Sequence, residues 1–266
     1  MKEIILQCSN VSAGYNKKNF ITDLSLEIYK GDFLCLIGQN GAGKSTVLKL
    51  LSSILKPYSG EIRLRGRNIL NIGHKKLSSQ MAVVRNINGI IPDFLVKDFV
   101  SFGAFPHGRA LSKIKQNLCS EIIKQTGIED LSKRIITTLS SGEFQLVQIA
   151  RALLQSRDIL LLDEPVSNLD YRHTVEIMNL LKEFNHQGTT IVCAIHDLNT
   201  ALNFCNRIVA LKKGKILFDG KPEELNDKLL EKIYDIDFIS IKNPVTGKLM
   251  VSPLQEVTKK YHSSKE

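Results

Sequence analysis

The sequence predicts an α/β fold with a largely parallel sheet, flanking helices and an inserted helical segment. Short continuous apolar runs at 159–162 (ILLL) and 190–195 (TIVCAI) are typical of parallel strands buried on both faces. A helical pattern at 171–186 joins these two runs, as expected for strand–helix alternation. From about 86 to 155 the apolar pattern is helical and continuous apolar strands are missing, which predicts an insertion between two parts of the core.

The composition limits the classes of function. The chain has 266 residues, of which 43% are hydrophobic and 24% charged, and this balance is typical of a globular protein rather than a disordered or fibrous one. The longest apolar runs fall far short of the roughly 20 residues that a membrane helix needs. The N-terminus also shows no apolar stretch of signal-peptide length. We therefore do not expect a pore, a receptor ectodomain or a secreted protein.

Net charge and cysteine content limit the classes of binding partner and the redox compartment that we expect. The net charge of +9 suits nucleotides, nucleic acids or an anionic membrane surface, without selecting among them. The basic residues occur as short pairs without interleaved aromatics, so we expect solvated surface charge and no nucleic-acid partner. The five cysteines form no C-x-x-C pair, and Cys35 and Cys193 lie in apolar runs where a thiol packs as a small hydrophobe. This pattern fits a reducing cytoplasm.

The remaining elements follow from local patterns. Strand-like runs at 4–8, 24–28, 33–37 and 61–64 alternate with turn signals, and helical spacing from 47 to 55 ends at Pro57. Further helices are predicted at 96–102, 114–126, 142–154 and 222–233. Strands at 208–211 and 215–218 form a hairpin, and a second hairpin turns at 244–247. We expect a main domain over 1–240 with 86–155 inserted, and a C-terminal hairpin and polar tail over 241–266.

A phosphate-binding loop is the strongest motif. Residues 38–45 (GQNGAGKS) satisfy G-x-x-x-x-G-K-[ST] between an apolar strand and an amphipathic helix. The glycines let successive backbone N–H groups face one anion, and the helix N-terminus adds its positive dipole end. Lys44 reaches the terminal phosphates, and the Ser45 hydroxyl is a hard oxygen ligand for Mg²⁺. The alternative, a Gly-rich turn with a surface lysine, does not explain the full pattern in this context.

Two acidic residues follow the buried run at 159–162. Asp163 stands at the usual position of a second Mg²⁺ carboxylate, and the adjacent Glu164 could polarise a water that attacks the γ-phosphate. A strand leaving the core would also explain an Asp-Glu pair. With the phosphate loop upstream, we favour the functional interpretation.

These motifs, with three others, resemble one family. Residues 139–143 (LSSGE) resemble the LSGGQ signature of ATP-binding cassette (ABC) ATPases and begin a predicted helix. The run ILLLDEPVSNLD resembles the Walker B and D-loop of that family, with Asp170 at its end. His196 stands where the switch histidine belongs, and Tyr15 matches the aromatic A-loop residue on which adenine stacks. The resemblance covers nearly the whole chain.

The resemblance implies a fold and a set of roles. The fold is a P-loop NTPase core with a mixed sheet and flanking helices, an N-terminal antiparallel β-subdomain and an inserted α-helical subdomain. The activity is ATP hydrolysis, with Glu164 and His196 as catalytic residues and with Mg²⁺ held by Ser45, Asp163 and Asn86. The residues implied to bind ATP are Tyr15, Gly38, Asn40, Gly41, Ala42, Gly43, Lys44, Ser45, Thr46, Asn86, Ser140, Gly142, Glu143 and Asp170.

The resemblance also implies a dimer. In that family two cassettes pair head to tail, and ATP lies between the phosphate loop of one and the signature of the other. Ser140 and Gly142 would therefore bind the γ-phosphate of a nucleotide held by the partner chain. Since the chain has a single cassette, a homodimer is implied, or a heterodimer with a similar chain.

The chain departs from the family pattern at two sites. Arg85 and Asn86 stand where Pro-Gln is usual in the Q-loop, and Asn86 keeps the amide on a shorter side chain. The signature has Ser141 for glycine and Glu143 for glutamine. Glu143 would weaken the ATP sandwich through its carboxylate charge unless the side chain points away.

A transport system is implied by the C-terminal run 242–247 (KNPVTG). It resembles a hairpin of importer ATPases for ferric siderophores, haem and cobalamin, although a generic β-turn remains an alternative. The resemblance implies transmembrane permease subunits resting on the helical insertion, indirectly a solute-binding protein, and a peripheral location on the cytoplasmic face of the membrane. Residues 90–95 (IIPDFL) are the candidate permease contact; a loop covering the core is the alternative.

Other functions remain open at this stage. An exporter ATPase or an importer of another substrate would share the motifs. Soluble ABC proteins acting on ribosomes or DNA usually carry two cassettes or long coiled-coil insertions, and this chain shows neither. A nucleotide kinase outside the family would lack the signature and the D-loop.

Overall fold

The computed structural model describes residues 2–15, 18–85, 92–108 and 112–254. Its strands are β1 Ile4–Tyr15, β2 Lys18–Tyr29, β3 Phe33–Ile37, β4 Ser59–Leu64, β5 Arg67–Asn68, β6 Met81–Val84, β7 Ile159–Asp163, β8 Thr190–Ala194, β9 Arg207–Lys212, β10 Lys215–Gly220, β11 Phe238–Lys242 and β12 Leu249–Pro253. Its α-helices are α1 Lys44–Leu51, α2 His74–Ser78, α3 Val96–Ser101, α4 Ser112–Gln125, α5 Ser141–Gln155, α6 Tyr171–His186, α7 Leu198–Phe204 and α8 Asp227–Tyr234. The predicted α/β class is confirmed.

The central sheet has six strands in the order β10-β9-β3-β8-β7-β6. All neighbours are parallel except β9 and β10, which form the predicted antiparallel hairpin. Every residue of β3 and β8 is buried, as expected for continuous apolar strands covered on both faces. Because β3, β7 and β8 are parallel, their carboxyl ends meet at one edge of the sheet, where α/β proteins bind ligands.

A second, antiparallel sheet has the order β2-β1-β4-β5 and packs on the central sheet through a shared core. Its first two strands are twelve residues each, longer than the apolar runs at 4–8 and 24–28 suggest. Register shifts interrupt the pairing of β1 with β2, and Asn10 adopts a left-handed backbone (φ 49°) within the shift between Cys8 and Val11. The Asn10 backbone amide donates to Ser25 Oγ at 3.1 Å, so a side-chain bond joins β1 to β2 where the regular backbone pairing is interrupted.

The insertion is helical, as predicted. Within 92–108 and 112–155, helices α3, α4 and α5 are joined by 3₁₀ turns, and the only strand-like pairing the structure describes there is an isolated bridge between Leu95 and Ile135. Phe94 and Phe102 meet edge to face, with ring centroids 5.0 Å apart. None of the helices in the described part of the chain is long and apolar enough to cross a membrane.

The C-terminal region corrects one prediction. A single helix over 222–233 is wrong, because residues 222–224 form a 3₁₀ turn and α8 begins only at Asp227. Asn226 interrupts the helix: its side chain accepts a hydrogen bond from the Leu229 amide at 3.0 Å and caps α8. The predicted second hairpin is present as β11 and β12. The Asn199 side chain donates to the Val251 carbonyl and accepts from the Val251 amide, and these two bonds hold the hairpin against α7.

Candidate functional site

The phosphate loop connects β3 to α1 at the carboxyl edge of the central sheet. Gly38, Gly41 and Gly43 have positive φ, which favours glycine. A Cβ on Gly38 would lie 2.2 Å from the Leu211 carbonyl oxygen, and one on Gly43 would lie 2.8 Å from Ile21. The glycines therefore serve both the curl of the loop and its close packing on the neighbouring strands.

Lys44 is the first residue of α1 and is 5% exposed. Its Nζ donates to the carbonyl oxygens of Gly38 at 2.7 Å and Gln39 at 3.2 Å, inside the curl of the loop. Burial lowers the pKa of the Lys44 ammonium, and the nearby Glu164 carboxylate opposes this effect. The ammonium is thus held where the loop places phosphate oxygens.

Ser45 and Asp163 bring two hard oxygen atoms together. Ser45 Oγ donates to Asp163 Oδ1 at 2.8 Å, which joins the start of α1 to the end of β7. Burial raises the pKa of the Asp163 carboxyl, and the bond from Ser45 opposes the rise. A hydroxyl and a partly buried carboxylate fit Mg²⁺, because the cation would offset the cost of burying the negative charge.

Glu164 and His196 meet beside that pair. His196 Nε2 lies 2.5 Å from Glu164 Oε1, and both side chains remain partly exposed to the cleft. Glu164 has a left-handed backbone (φ 56°), a conformation that costs a non-glycine residue about 1–3 kcal/mol. Its amide donates to the Ala194 carbonyl at 3.1 Å, so the end of β8 holds this geometry. The strain aims the carboxylate at the phosphate loop instead of continuing β7.

An open cleft of about 510 Å³ collects most of the predicted nucleotide-binding residues. Tyr15 is 44% exposed at the end of β1, with its hydroxyl 3.5 Å from Thr46 Oγ1. Lys49 donates to the Tyr15 hydroxyl at 3.2 Å, and its Nζ lies 5.4 Å from the ring centroid. Phe20 also lines the cleft, and no motif had marked it. The described lining consists of Tyr15, Phe20, Asn40, Gly41, Ala42, Gly43, Lys44, Ser45, Thr46, Glu164 and His196.

The signature caps the inserted helix α5. Ser140 Oγ accepts from the Glu143 amide at 3.3 Å, and Glu143 Oε2 accepts from the Ser140 amide at 2.7 Å. Glu143 Oε1 also accepts from Arg134 Nη1 at 2.9 Å. These bonds, led by the Ser140 amide, hold the pKa of the Glu143 carboxyl below its usual value. The carboxylate is therefore folded back on the cap, where the Ser140 amide and the Arg134 guanidinium pair with its charge.

The signature also contacts the first turn of α6, directly after the D-loop. Asp170 caps α6 by accepting from the His173 amide at 2.8 Å, and its carboxylate lies 3.0 Å from His173 Nδ1. A Cβ on Gly142 would lie 2.4 Å from the His173 ring, so only glycine leaves room for the imidazole. His173 was not predicted from the sequence. The sequence feature that could have marked His173 is its position three residues after a capping aspartate, but this feature is not specific to functional sites.

The predicted site residues fall into two groups. The described lining of the cleft at the phosphate loop includes none of Ser140, Gly142, Glu143 and Asp170. Asn86 lies outside the described residues, and so do 90 and 91 of the candidate permease contact. Arg85 is exposed, and its positive charge opposes the rise in the pKa of Asp163 that burial causes. A single copy of the chain therefore brings together the phosphate loop, the acidic residues and His196.

The end of α8 contacts the phosphate loop directly. The Gly38 amide donates to the Tyr234 hydroxyl at 3.1 Å, and Gln39 Nε2 donates to the Tyr234 carbonyl oxygen at 2.5 Å. Asp235, which ends α8 with φ 59°, also accepts from Lys212 at 2.5 Å. Burial raises the pKa of the Tyr234 phenol. Tyr234 is nearly 200 residues from Gly38 and Gln39, and no local pattern predicts these contacts.

Fold and site together define the class. A glycine-rich phosphate loop, a Ser–Asp pair and a strained Glu beside a His lie at the carboxyl edge of a mostly parallel sheet, with a helical insertion. This is a P-loop protein built to bind a nucleoside triphosphate. The chain belongs to the ABC transporter family, whose model matches residues 21–167. It is an ABC ATPase.

Curated relatives span nearly the whole chain. It is 39% identical over 235 residues to the petrobactin import ATP-binding protein YclP of Bacillus subtilis (strain 168), covering 87% of this chain and 93% of the relative. It is 34% identical to the ferric enterobactin transport ATP-binding protein FepC of Escherichia coli (strain K12), covering 94% of each. It is 32% identical to the hemin import ATP-binding protein HmuV of Bordetella avium (strain 197N), covering 92% and 98%.

Solved structures agree with the fold. A protein described as a metal-chelate type ABC transporter, in an inward-facing conformation, superposes with a TM-score of 0.83 at 25% identity, covering 95% of this chain and 98% of that one. A dimeric ATP-binding cassette in a post-hydrolysis state, bound to ADP and inorganic phosphate, superposes with a TM-score of 0.73 at 27% identity, covering 83% and 100%.

Proposed function

We propose that this chain is the ATP-hydrolysing subunit of an importer for a metal chelate of the siderophore, haem or cobalamin type. The observation that carries the proposal is similarity along almost the full length to import ATPases whose names specify petrobactin, ferric enterobactin and hemin. The hairpin of β11 and β12, which resembles that of such importers in sequence, supports the same assignment.

ATP binding rests on the phosphate loop and the residues around it. The loop amides and the α1 N-terminus surround the phosphates, and Lys44 leaves its carbonyl partners to pair with their oxygens. The partly exposed Tyr15 ring provides a stacking surface for adenine at the outer end of the cleft. Lys49 beside that ring adds positive charge near the nucleotide.

Ser45 and Asp163 would hold Mg²⁺, with Asn86 as a further oxygen donor. When bound, the cation would neutralise charge on the β- and γ-phosphate oxygens. The positive charge of the cation would favour the ionised form of Asp163 despite its burial. The 2.8 Å separation of the Ser45 and Asp163 oxygens supports this assignment.

Glu164 and His196 carry the hydrolytic step. The Glu164 carboxylate accepts a proton from the attacking water while the oxygen of that water bonds to the γ-phosphorus. The bond between the γ-phosphorus and the bridging oxygen breaks, and ADP leaves with its electron pair. His196, held 2.5 Å from Glu164, orients the water and contacts the γ-phosphate.

Dimerisation completes the site. Ser140 and Gly142 lie at the N-terminus of α5, where hydroxyl and amide donors suit an anion. They would bind the γ-phosphate of ATP held by the partner copy, with Glu143 withdrawn into the cap and Asp170 at the same seam. The separation of these residues from the phosphate-loop cleft within one chain supports a head-to-tail pair.

Transmembrane permease subunits would rest on the helical insertion, and the chain would then lie on the cytoplasmic face of the membrane. Asp93 accepts from Thr137 Oγ1 at 2.6 Å, and the Phe94 carbonyl accepts from the Ile136 amide at 2.9 Å. These bonds join the described part of the candidate contact, 92–95, to the segment that leads into Ser140. A solute-binding protein would deliver the chelate to the permease from the other side.

The test is reconstitution of this chain with its transmembrane permease subunits in proteoliposomes. ATP-dependent uptake of a ferric siderophore, of haem or of a corrinoid into proteoliposomes is the expected result, and Lys44→Ala should abolish it. ATP hydrolysis without uptake of any of these compounds, together with transport of an unrelated solute or transport outward, would overturn the metal-chelate assignment.

A further inference from the structure

Three cysteines converge below the nucleotide site. Cys35 lies in β3, Cys193 lies in β8 and Cys205 follows α7. Their sulfur atoms all lie within 4.8 Å of one another, and those of Cys193 and Cys205 are 4.0 Å apart. Cys35 and Cys193 are fully buried and Cys205 is 6% exposed. The ATPase mechanism uses none of these thiols.

The sheet register brings them together. Cys35 and Cys193 are direct neighbours across the parallel pair β3–β8, so their side chains point to the same face of the sheet. The Cys205 amide bonds to the Ala201 carbonyl at the end of α7, which lies over that face. Packing as small hydrophobes explains the burial of each thiol, as the apolar runs predicted. Such packing alone does not require all three sulfur atoms to face one another.

We propose that Cys35, Cys193 and Cys205 form a three-thiolate site for a trivalent, three-coordinate thiophilic ion, of which arsenic(III) is the probe. Thiolates select soft ions. The sulfur atoms of Cys193 and Cys205 are 4.0 Å apart and all three lie within 4.8 Å of one another, so they need only move closer together to hold one ion at about 2.3 Å, the length of a typical metal–thiolate bond.

Coordination number and charge select the class of ion. Among the residues that the structure describes, no fourth His, Cys, Asp or Glu side chain joins the group, so a tetrahedral zinc site is incomplete. Three thiolates leave a divalent ion with a net negative charge, which is costly in an apolar interior. A trivalent ion gives a neutral complex. The surrounding core is apolar, with Phe33, Ile191 and Leu202 in the same buried cluster.

The chemistry is a ligand exchange without redox change. In arsenous acid each As–O bond is replaced by an As–S bond, and each displaced hydroxide leaves as water with the proton of one thiol. Burial raises the pKa of the Cys193 and Cys205 thiols, so their protons are present to be released. Entry requires local opening at the α7 end, where Cys205 is slightly exposed, and binding is therefore slow.

Such binding would affect the nucleotide site. Gly38 is three residues beyond Cys35, and His196 is three residues beyond Cys193. Three As–S bonds would tie both strands to the segment after α7 and fix the spacing between the phosphate loop and the histidine. The expected loss of hydrolysis rests on the proposed ATPase role, whereas binding itself does not.

The test incubates the full chain with arsenite under reducing, thiol-free conditions. Native mass spectrometry should show one arsenic per chain with loss of three hydrogens, and X-ray absorption at the arsenic edge should show three sulfur neighbours and no oxygen. An unmodified chain, or arsenic bound by fewer sulfur atoms, would overturn the proposal. Both measurements use the unaltered protein, so neither depends on a variant that folds poorly.

Variants then assign the thiols. Cys205→Ala, at the edge of the cluster, should abolish the complex and protect ATP hydrolysis from arsenite. Cys8→Ala and Cys119→Ala, which alter buried thiols outside the cluster, should bind as the original chain does. Equal binding by Cys205→Ala would contradict the site. Binding as proposed without loss of hydrolysis would confirm the site and reject its effect on the nucleotide cleft.

Discussion

The hydroxyl of Tyr234 accepts a hydrogen bond from the amide of Gly38 at 3.1 Å, so the last residue of α8 holds the first residue of the phosphate loop. Gln39 binds the carbonyl oxygen of the same tyrosine. The C-terminal helix is therefore part of the framework of the nucleotide site, although it contributes no residue to the lining of the cleft.

Tyr234→Phe should weaken ATP binding while leaving the chemical step nearly unchanged. The phenylalanine keeps the packing but removes one neutral hydrogen bond, which is worth about 0.5–1.5 kcal/mol, or roughly a two- to tenfold rise in KM. Steady-state kinetics should show this rise with kcat close to that of the original chain. Tyr29→Phe, which removes a hydroxyl bonded to Glu27 away from the cleft, is the matched control. Equal KM values for the two variants would contradict the role of Tyr234.

Glu164→Gln should lower hydrolysis by roughly 10²–10⁴-fold, because the amide cannot accept the proton of the attacking water. ATP binding should persist, so the variant should accumulate as an ATP-bound dimer that size-exclusion chromatography separates from the monomer. Glu223→Gln, at an exposed position in the 3₁₀ turn before α8, is the control. A Glu164→Gln variant that stays monomeric with ATP, or that hydrolyses ATP at the original rate, would contradict the assignment.

Gly142→Ala should destabilise the contact between the signature and the first turn of α6. The new Cβ would overlap the His173 ring, and overpacking of this kind costs about 1–3 kcal/mol. We expect a lower Tm and slower hydrolysis. His173→Ala removes the ring, so the double variant should recover most of the lost Tm. If the double variant is no more stable than Gly142→Ala alone, the contact with His173 is not the cause.

The Glu143 cap should give stability that depends on pH. Its pKa is lower in the folded chain than in the unfolded chain, so the ionised carboxylate stabilises the fold above its unfolded pKa. This contribution is lost as the pH falls through the folded pKa. Glu143→Gln keeps an oxygen acceptor but loses the charge, so its Tm should lie below that of the original chain at about pH 7. The two Tm values should converge as the pH falls through the folded pKa of Glu143. A Tm difference that is constant over this range would show that the charge is not involved.

Local motifs predicted the residues whose positions are determined by their neighbours in the sequence. Lys44 and Ser45 begin the helix after a glycine-rich loop, and Asp163 and His196 follow buried strands. Parallel strands place such ends at one edge, so the cleft that contains Lys44, Glu164 and His196 could be expected before the structure was known. The roles of Ser140 and Asn86 remain predictions, the first because it needs a second chain and the second because it lies outside the described residues.

Contacts between distant segments were not predictable in this way. His173 and Tyr234 reach the signature and the phosphate loop through tertiary packing, and the polar residues around them follow no periodic pattern. Cys35 and Cys193 were expected in the core, but their pairing with Cys205 depends on the order of the strands in the sheet. The predicted helix at 222–233 failed because the Asn226 cap outweighed the helical spacing of the apolar residues.

The central claim is that two copies of the chain enclose ATP between the phosphate loop of one and the signature of the other. The most direct measurement is a structure of the Glu164→Gln variant with ATP and Mg²⁺. We predict that the Ser140 hydroxyl of each protomer lies within hydrogen-bond distance, about 3 Å, of the γ-phosphate bound at Lys44 of its partner. A nucleotide-bound structure in which Ser140 faces no phosphate of either copy would contradict the account.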